Sequence, residues 1–289
     1  MLFLVKLGGS VITDKMRTCK FKTEVVDRLA WELSQANMKG ILVTGAGSFG
    51  HILAKKYKLN EGLTSCDFNQ ISGLARVQRD VRVLNLKICN ALLKYNLSPV
   101  SLPPSAMVRC RLGKISSLDH TIFKYYLDLG TIPVTFGDVV LDSERGFCIC
   151  SGDLMMEELS REFKFDFAVF VTDVDGVFDS DPKVCRSAKL IKEIKVDAKV
   201  ENLLRDEAIA TIDVTGKMLG KVKSALRIAS NGTDVYIING LVPGRLKALL
   251  LGEKVVCTKI KGRKAVEKAI ENAEIKTKKN ETKKLKKIN

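Results

Sequence analysis

Short apolar runs alternate with longer helical patterns along most of the chain. The runs are rich in β-branched residues and are bounded by glycine or polar residues, which is typical of buried strands. The patterns between them are long enough to form helices that connect parallel strands. The sequence therefore predicts an α/β fold in which helices cover both faces of a mainly parallel sheet. The predicted strands are Leu2–Leu7, Ile41–Thr44, Val100–Leu102, Ile132–Thr135, Phe167–Thr172, Val235–Ile238 and Val255–Ile260.

Two further elements are predicted from their spacing. A long helix is expected from Ile71 to Leu93, because its apolar residues recur at steps of three and four. Val139–Leu141 and Phe147–Cys150 flank a polar turn, and this pattern predicts a hairpin on the same sheet. There is no internal repeat and no long linker before residue 261, so we expect one domain over residues 1–260.

Composition narrows the functional classes. Apolar residues make up 46% of the 289 residues, which is enough for a sizeable core, and no apolar run is long enough to cross a bilayer. The apolar start is interrupted by Lys6 and Gly8, so we expect a buried strand there and not a secretory signal. Eight cysteines without paired metal spacing and only two histidines make a zinc site an unfavoured interpretation. We expect reduced thiols in a cytoplasmic protein.

The net charge of +15 is unevenly distributed. From Lys261 onward there are eleven Lys or Arg residues and four Glu residues, a surplus of seven. We expect residues 261–289 to form a basic, partly disordered tail that begins with a short amphipathic helix. Because almost half of the surplus lies in this tail, the charge by itself does not predict binding to nucleic acid.

The first glycine-rich turn, Lys6-Leu7-Gly8-Gly9-Ser10, follows the first predicted strand. Glycines allow the backbone to approach phosphate oxygens, and amides at the start of the next helix can donate to them. The GxxxxGK[ST] spacing of a Walker A loop is absent. Since the lysine adds a positive charge at the strand end, this turn predicts a phosphate site of another kind.

The second turn, Gly45 to His51, satisfies the GxGxxG pattern and raises the alternative of a dinucleotide-dependent oxidoreductase. That fingerprint requires an acidic residue at the end of a second strand about 20 residues later. The corresponding window, Asp67 to Gln70, lies in a polar segment before the long helix. The oxidoreductase interpretation is therefore disfavoured, and His51 lies just past a candidate anion-binding loop.

Three more motifs follow along the chain. Ser151–Asp153 ends the predicted hairpin, and Thr172–Phe178 begins where a predicted strand ends. A third glycine-containing turn, Asp213–Lys221, carries two lysines before a helix. Ligand sites of open α/β sheets gather at the carboxyl ends of strands. The convergence of all five motifs at such ends therefore predicts a single phosphate-handling site.

In their order these motifs resemble the amino acid kinase family. The order is Lys-x-Gly-Gly-Ser, a glycine-rich turn, Gly-Asp, Thr-Asp-Val-Asp-Gly-Val, and a Thr-Gly-x-Met turn with a lysine. Within the family, Lys15 and the Gly-Ser-Phe-Gly-His run ending at His51 resemble the branch that phosphorylates isopentenyl phosphate. Asn239–Leu241 and Pro243–Leu246 also match that branch.

The resemblance covers residues 1–260 and implies a fold and an assembly. The family folds as a three-layer α/β/α sandwich with a mainly parallel central sheet. It implies an acceptor-binding lobe over residues 1–166 and a nucleotide-binding lobe over residues 167–260. It also implies a homodimer.

The resemblance further implies roles for individual residues. Lys6, Lys15 and Lys221 would neutralise charge on the transferring phosphoryl group, and Asp153 would hold Lys6 and Lys221 in position. Mg²⁺ would bridge the oxygens of ATP and keep several waters, without a dedicated protein site. The residues implied in binding ATP are Lys6, Leu7, Gly8, Gly9, Ser10, Gly47, Asp173, Lys217 and Lys221. Those implied in binding the phosphate of the acceptor are Ala46, His51 and Gly152.

Four positions depart from the pattern of the family. Thr44 and Ala46 stand where His and Gly are common, and the amide of Ala46 still serves if its φ is negative. Leu154 replaces a second Asp after Gly-Asp. Lys217 replaces a glycine in the ATP turn, where it either adds a phosphate contact or forces the backbone to adjust.

The reaction implied is transfer of the γ-phosphoryl group of ATP to isopentenyl phosphate, which gives isopentenyl diphosphate for isoprenoid biosynthesis in the mevalonate pathway. A phosphate monoester has a second pKa of about 6, so the acceptor is largely dianionic at neutral pH and requires no general base. Kinases of the same fold for fosfomycin, a nucleoside monophosphate or an amino-acid carboxylate remain alternatives.

Overall fold

A computed structural model of the protein describes residues 1–64, 68–180, 182, 184–185, 187–196 and 216–262. The strands in these ranges are β1 (Phe3–Leu7), β2 (Gly40–Thr44), β3 (Pro99–Ser101), β4 (Val108–Arg111), β5 (Lys114–Leu118), β6 (Ile132–Phe136), β7 (Asp138–Asp142), β8 (Gly146–Cys150), β9 (Phe167–Thr172), β10 (Glu193–Lys195), β11 (Asp234–Asn239) and β12 (Thr258–Lys261). The helices are α1 (Gly9–Ile12), α2 (Thr23–Gln35), α3 (Gly47–Lys56), α4 (Phe68–Leu93), α5 (Pro104–Met107), α6 (His120–Asp128), α7 (Gly152–Glu162), α8 (Gly216–Ser230) and α9 (Arg245–Leu250).

The central sheet is mainly parallel, as predicted. Its strand order is β10-β12-β11-β9-β1-β2-β6-β3, and in the described part of the chain β11 and β12 form its antiparallel pair. Strand β1 pairs with β2 on one side and with β9 on the other. The lobes predicted for residues 1–166 and 167–260 would therefore adjoin where β1 pairs with β9.

Alternating side chains of these strands form two cores. Leu4 and Phe170 pack in the core that α6, α7 and α8 cover, whereas Val5 and Val169 pack in the core that α2, α4 and α9 cover. Because both faces of the sheet are buried, the fold is the predicted three-layer α/β/α sandwich. The same two-residue period places Lys6 on the face of Leu4, toward α7 and α8.

A second sheet, in the order β5-β4-β7-β8, corrects one expectation. The hairpin β7–β8 forms as predicted, but it belongs to this second sheet and not to the central one. Only Gly137 separates β6 from β7, so the chain leaves the central sheet at that glycine. Strand β5 was not predicted, because its residues are mostly exposed and carry little apolar signal.

The boundaries of several elements differ from the predictions by a few residues. Helix α4 begins at Phe68. Strand β12 begins at Thr258, three residues later than predicted, and ends at Lys261, the first residue of the predicted tail. Residues 263–289 lie outside the described residues. No helix in the described ranges combines the length and apolar character required to span a membrane.

Candidate active site

A cavity of about 490 Å³ opens where the central strands β1, β2 and β9 end. Helices α1, α3 and α7 begin at this cavity, and α8 contributes Lys221 to its lining. Residues of the first two glycine-rich turns, of Ser151–Asp153 and of Thr172–Phe178 all contribute to its walls. The carboxyl ends of parallel strands meet at one edge of the sheet, and for this reason motifs distant in sequence share one cavity.

Three charged side chains form a cluster on one wall of the cavity. The ammonium group of Lys6 donates a hydrogen bond to Asp153 Oδ1, and Lys221 Nζ lies 4.0 Å from the same oxygen. The ring centroid of Phe170 lies 5.6 Å from Lys6 Nζ and 5.8 Å from Lys221 Nζ. Two positive charges thus share one carboxylate over an aromatic face, which leaves the cluster with a net positive charge.

Burial changes the acid–base behaviour of this cluster. Desolvation, together with the charge of Lys221, lowers the pKa of the Lys6 ammonium group to about 8, although Asp153 opposes the shift. Burial raises the pKa of the Asp153 carboxyl, but the charges of Lys6 and Lys221 outweigh burial and hold that pKa below its ordinary value. Asp153 therefore stays ionised, and Lys6 is a cation that titrates not far above neutral pH.

The first two glycine-rich turns touch each other through their backbones. A Cβ on Gly9 would lie 2.6 Å from the Cα of Gly47, and a Cβ on Gly45 would lie 2.6 Å from the amide nitrogen of Gly9. Gly47 also has a φ of +51°, in the left-handed region that favours glycine. Glycines at these positions let two sets of backbone amides converge on the cavity, which is the arrangement that binds phosphate.

Helix α3 begins beside this contact. Its N-cap, Ala46, has a φ of −63°, so the condition under which its amide remains usable is met. A Cβ on Gly50 would lie 2.6 Å from the Cβ of Ala46, so alanine at position 46 requires glycine at position 50. His51 follows in the first turn and a half of α3, lines the cavity and acts electrostatically on Asp153.

Helix α7 begins at Gly152, close to Lys6 and to the end of β2. Ser151 Oγ accepts a hydrogen bond from the amide of Leu154 at 3.1 Å and caps the helix. A Cβ on Gly152 would lie 3.0 Å from Lys6 Cε and 3.1 Å from the carbonyl oxygen of Thr44, so this position is tight for any other residue. Leu154 packs against the core instead of carrying the second carboxylate of the family pattern.

The third predicted catalytic lysine occupies a different wall of the cavity. Lys15 Nζ donates to Asp173 Oδ2 at 3.1 Å, and Ser10 Oγ donates to Asp173 Oδ1 at 2.9 Å. Burial raises the pKa of the Asp173 carboxyl, but these two donors outweigh it and lower that pKa to about 2. The family resemblance implied that Asp173 binds ATP, and in the structure its carboxylate accepts hydrogen bonds from both Ser10 of the first turn and Lys15.

An apolar wall of the cavity was missed by sequence reasoning. Ile52 on α3, Val77 on α4, and Val139 and Ile149 on the hairpin β7–β8 line the same cavity as His51. Val77 and Val139 belong to a small apolar cluster between α3, α4 and the second sheet. These residues look like ordinary core positions in the sequence, and only the tertiary structure brings them to the cavity.

Part of the predicted ATP turn cannot be compared with the structure. Asp213–Thr215 lie outside the described residues, and of Lys217 the structure describes only its helical backbone at the start of α8. In the ranges that are described, no group of three or more His, Cys, Asp or Glu side chains could hold a metal ion. The carboxylates of Asp153 and Asp173, which line the cavity, already accept hydrogen bonds from lysines.

Comparison with known proteins identifies relatives over almost the whole chain. The profile of the amino acid kinase family matches residues 1–239. The isopentenyl phosphate kinase of Methanothermobacter thermautotrophicus is 36% identical over 268 residues, which cover 91% of this chain and 100% of the relative. That of Thermoplasma acidophilum is 34% identical over 247 residues, which cover 85% of this chain and 94% of the relative.

A solved isopentenyl phosphate kinase structure also superposes on the protein. The TM-score is 0.80 at 34% sequence identity, and the superposition covers 90% of this chain and 100% of the other. The fold and the family expected from the order of the motifs are thereby confirmed.

Proposed function

The chain belongs to the amino acid kinase family, and we propose that it transfers the γ-phosphoryl group of ATP to isopentenyl phosphate, giving isopentenyl diphosphate and ADP. The proposal agrees with the names of its relatives, which are isopentenyl phosphate kinases matched over nearly their full length. It also requires that the cavity suit an acceptor with a phosphate at one end and a hydrocarbon chain at the other.

The observation that carries the proposal is that such a cavity is present. His51 and residues of the glycine-rich turns line the same cavity as the cluster of Lys6, Asp153 and Lys221. The apolar wall that includes Val77 and Val139 borders that space. A hydrocarbon chain buried against such a wall is stabilised by about 0.8 kcal/mol for each CH₂ group. A nucleoside or an amino acid bound there would leave some of its polar groups without hydrogen-bond partners.

The lysines supply what phosphoryl transfer requires. Transfer from ATP depends mainly on positioning and on neutralising charge as it moves from the attacking oxygen to the leaving oxygen. Lys6 and Lys221 share one carboxylate, so one positive charge in excess is available to the transferring group. A dianionic acceptor attacks without a general base, and His51 holds its phosphate through an imidazole N–H donor, with Ala46 and Gly152 contributing backbone amides.

The nucleotide occupies the other part of the cavity. Gly8, Gly9, Ser10 and Gly47 line its phosphates, and Lys217 and Lys221 add charge. Leu7 is buried in β1 and supports this turn from below, and the amide of Gly8 donates to the carbonyl oxygen of Val171 at 2.9 Å. Asp173 orients Ser10 and Lys15 toward those phosphates and borders the nucleoside end. Mg²⁺ would enter with ATP without a dedicated protein site, which agrees with a cavity in which lysines engage Asp153 and Asp173 and Arg82 lies beside Asp138. The ion screens the charge of the phosphates when it is bound.

We propose that the two halves of the central sheet correspond to the two lobes. Residues 1–166 supply β1, β2, β6 and β3 with the acceptor-binding helices, and residues 167–260 supply β9, β11, β12 and β10 with the nucleotide-binding segments. We propose that the protein acts as a homodimer, as the family resemblance implies. A cytoplasmic location agrees with the free thiols of all seven cysteines in the described part of the chain.

A coupled assay of ADP release tests the function. Isopentenyl phosphate, dimethylallyl phosphate, fosfomycin, UMP and glutamate are compared at equal concentration, with the Lys6→Ala protein as the control for contaminating kinases. We expect the highest kcat/KM with isopentenyl phosphate and no turnover of glutamate. A higher kcat/KM with fosfomycin, UMP or glutamate would assign the protein to one of the alternative kinases of the same fold.

A further inference from the structure

Helices α7 and α8 carry Asp153 and Lys221, and they pack against each other along a row of polar contacts. Both helices begin at the cavity, so they run in the same direction away from it. We call this row the α7–α8 seam. Its contacts, in order from the cavity outward, are Asp153 with Lys221, Glu157 with Ser224 and Arg227, and Ser160 with Asn231.

Glu157 is the centre of the seam. Its side chain is 6% exposed, and Oε1 accepts a hydrogen bond from Ser224 Oγ at 2.5 Å. Arg227 Nη1 lies 3.4 Å from Oε1 and 3.3 Å from Oε2 of the same carboxylate. All of these partners are on α8, so the carboxylate of Glu157 ties the two helices together one turn below the reacting end.

Apolar packing alone would leave this junction less well defined. Around the seam lie the buried side chains of Met156, Leu159, Val222 and Leu226, and apolar packing by itself specifies one arrangement less strictly than paired polar groups do. A buried carboxylate is stable only where its hydrogen-bond donors are in place. The position of Glu157 therefore selects one register of α8 on α7 out of several that apolar contacts would accept.

We propose that Glu157 is a positioning residue of the phosphoryl-transfer site, which fixes the register of α8 so that Lys221 stays beside Asp153 and Lys6. The inference rests on the proposed role of Lys221 in phosphoryl transfer. Lys221 is three residues before Ser224, and Asp153 is four residues before Glu157, so each anchor lies on the same helix face as the reacting group it positions. If α8 shifts relative to Glu157, Lys221 moves with it, because Lys221 is one helical turn from Ser224 on the same helix.

The seam also sets the charge environment of Lys6. The groups that face Lys6 are Asp153 from α7 and Lys221 from α8, and His51 from α3 acts on Asp153. Lys221 contributes to the lowered pKa of Lys6, so any movement of Lys221 away from the cluster raises that pKa toward its ordinary value. The pKa of Lys6 thus reports the position of α8.

The test compares Glu157→Ala, Glu157→Gln and the control Glu158→Ala. Glu158 is the next residue of α7, and its carboxylate pairs with Arg161 on the same helix and with His120 of α6, so its loss leaves the seam intact. For Glu157→Ala we expect kcat to fall about 10- to 100-fold, since small displacements of catalytic groups have effects of that order. KM for ATP and for the acceptor should change by less than about 3-fold. The Gln variant keeps an acceptor for Ser224 and should recover most of kcat.

A residue that only stabilised the fold would behave differently. In that case Glu157→Ala and Glu158→Ala would both lower the melting temperature, and kcat of both folded variants would equal that of the wild-type protein. This result overturns the inference. If Glu157→Ala does not fold, Ser224→Ala is measured instead, because it removes the buried hydroxyl with almost no loss of volume. An unchanged kcat in folded Ser224→Ala, together with an unchanged pKa of Lys6, overturns the inference equally.

A readout without turnover separates this inference from the proposed function. The ¹⁵N signal of the Lys6 ammonium group is titrated in the wild-type protein and in each variant. We expect the midpoint to rise in Glu157→Ala and to stay unchanged in Glu158→Ala. If the wild-type protein fails to phosphorylate isopentenyl phosphate but the midpoint shifts as described, the proposed function is wrong and the positioning by Glu157 stands. No shift contradicts the positioning, whatever the substrate.

Discussion

Two lysine–aspartate pairs face the same cavity, and water reaches them to different degrees. The side chain of Lys6 is 6% exposed where it meets Asp153, whereas that of Lys15 is 48% exposed where it meets Asp173. The first pair shares its carboxylate with a second lysine and has a lysine of lowered pKa. The second has a carboxylate of strongly lowered pKa, held by Lys15 and Ser10.

The difference in exposure assigns different work to the two pairs. Electrostatic interactions are stronger where water is excluded, so a fixed charge at Lys6 stabilises a developing negative charge without reorganisation. Lys15 has a half-exposed side chain that Asp173 orients, so its ammonium group meets a phosphate only when the nucleotide is bound. We therefore expect Lys6 to contribute a fixed field and Lys15 a contact that forms only in the occupied site.

The largest effect should follow the loss of charge in the buried pair. For Lys6→Ala we expect kcat to fall by about 10²- to 10³-fold, the range known for loss of one preorganised donor, with a much smaller change in KM. Lys221→Ala should behave similarly, because both cations act on the same group. Steady-state kinetics measure this, with Lys94→Ala as the control, because Lys94 directly follows α4 and forms an exposed ion pair with Asp27 of α2. Wild-type kcat in Lys6→Ala would refute the fixed-field role.

The exposed pair should give a smaller effect of the same kind. For Lys15→Ala we expect kcat to fall by about 10²-fold, again by analogy with loss of a single electrostatic donor, and to fall less than in Lys6→Ala. Lys15→Arg should keep the charge and recover part of kcat, because an exposed side chain has room to adjust. An Ala variant with wild-type kcat would remove Lys15 from the transfer step and would weaken the assignment of the acceptor.

His51 tests whether the acceptor lies beside the buried pair. A charge-assisted hydrogen bond contributes roughly 1.5–3 kcal/mol, so His51→Ala should raise the KM of the acceptor about 10- to 150-fold if binding is rapid. KM for ATP should change little. His51→Asn keeps a donor without the charge and should be intermediate. A lower melting temperature with an unchanged acceptor KM would mean that His51 is structural, and the acceptor site would lie elsewhere.

The lowered pKa of Lys6 predicts a pH dependence with a definite sign. The free enzyme needs Lys6 protonated, so kcat/KM should decline above pH about 8. Bound phosphates favour the charged form, so the decline in kcat should begin at a higher pH. In the unfolded chain the pKa of Lys6 is about 10.5, so between pH 8 and pH 10.5 the folded protein loses this proton more readily than the unfolded chain. The contribution of Lys6 to the free energy of unfolding therefore becomes more favourable as the pH rises through this range. Coincident declines in both parameters would contradict a buried, substrate-coupled lysine.

The smallest effect is expected at the C-terminal end. Lys261 Nζ pairs with Glu193 at 3.1 Å, and the amide of Gly262 donates to Asp234 at 2.8 Å, so a truncation should keep both residues. Removal of residues 263–289 should leave kcat/KM within a few-fold and weaken retention on a cation-exchange resin. Loss of folding would show that this segment packs on the domain.

The sequence by itself determined the class of fold and most of the glycine-rich turns at the cavity. The central strands stand out as short apolar runs because both faces of the sheet are covered, and α4 stands out through apolar residues at steps of three and four because it buries one face. Glycine at positions 9 and 45 was equally readable, although the reason for it, direct contact between two backbones, was not.

Only the tertiary structure decided which groups act together. Asp153 and Lys221 are 68 residues apart in the sequence. The contact between Lys221 Nζ and Asp153 Oδ1 depends on how α8 packs on α7, which no local pattern encodes. The apolar wall at Val77 and Val139 looked like core, and the hairpin β7–β8 was assigned to the wrong sheet for the same reason. Local patterns report which residues are buried, but the surface against which each is buried depends on contacts between distant segments of the chain.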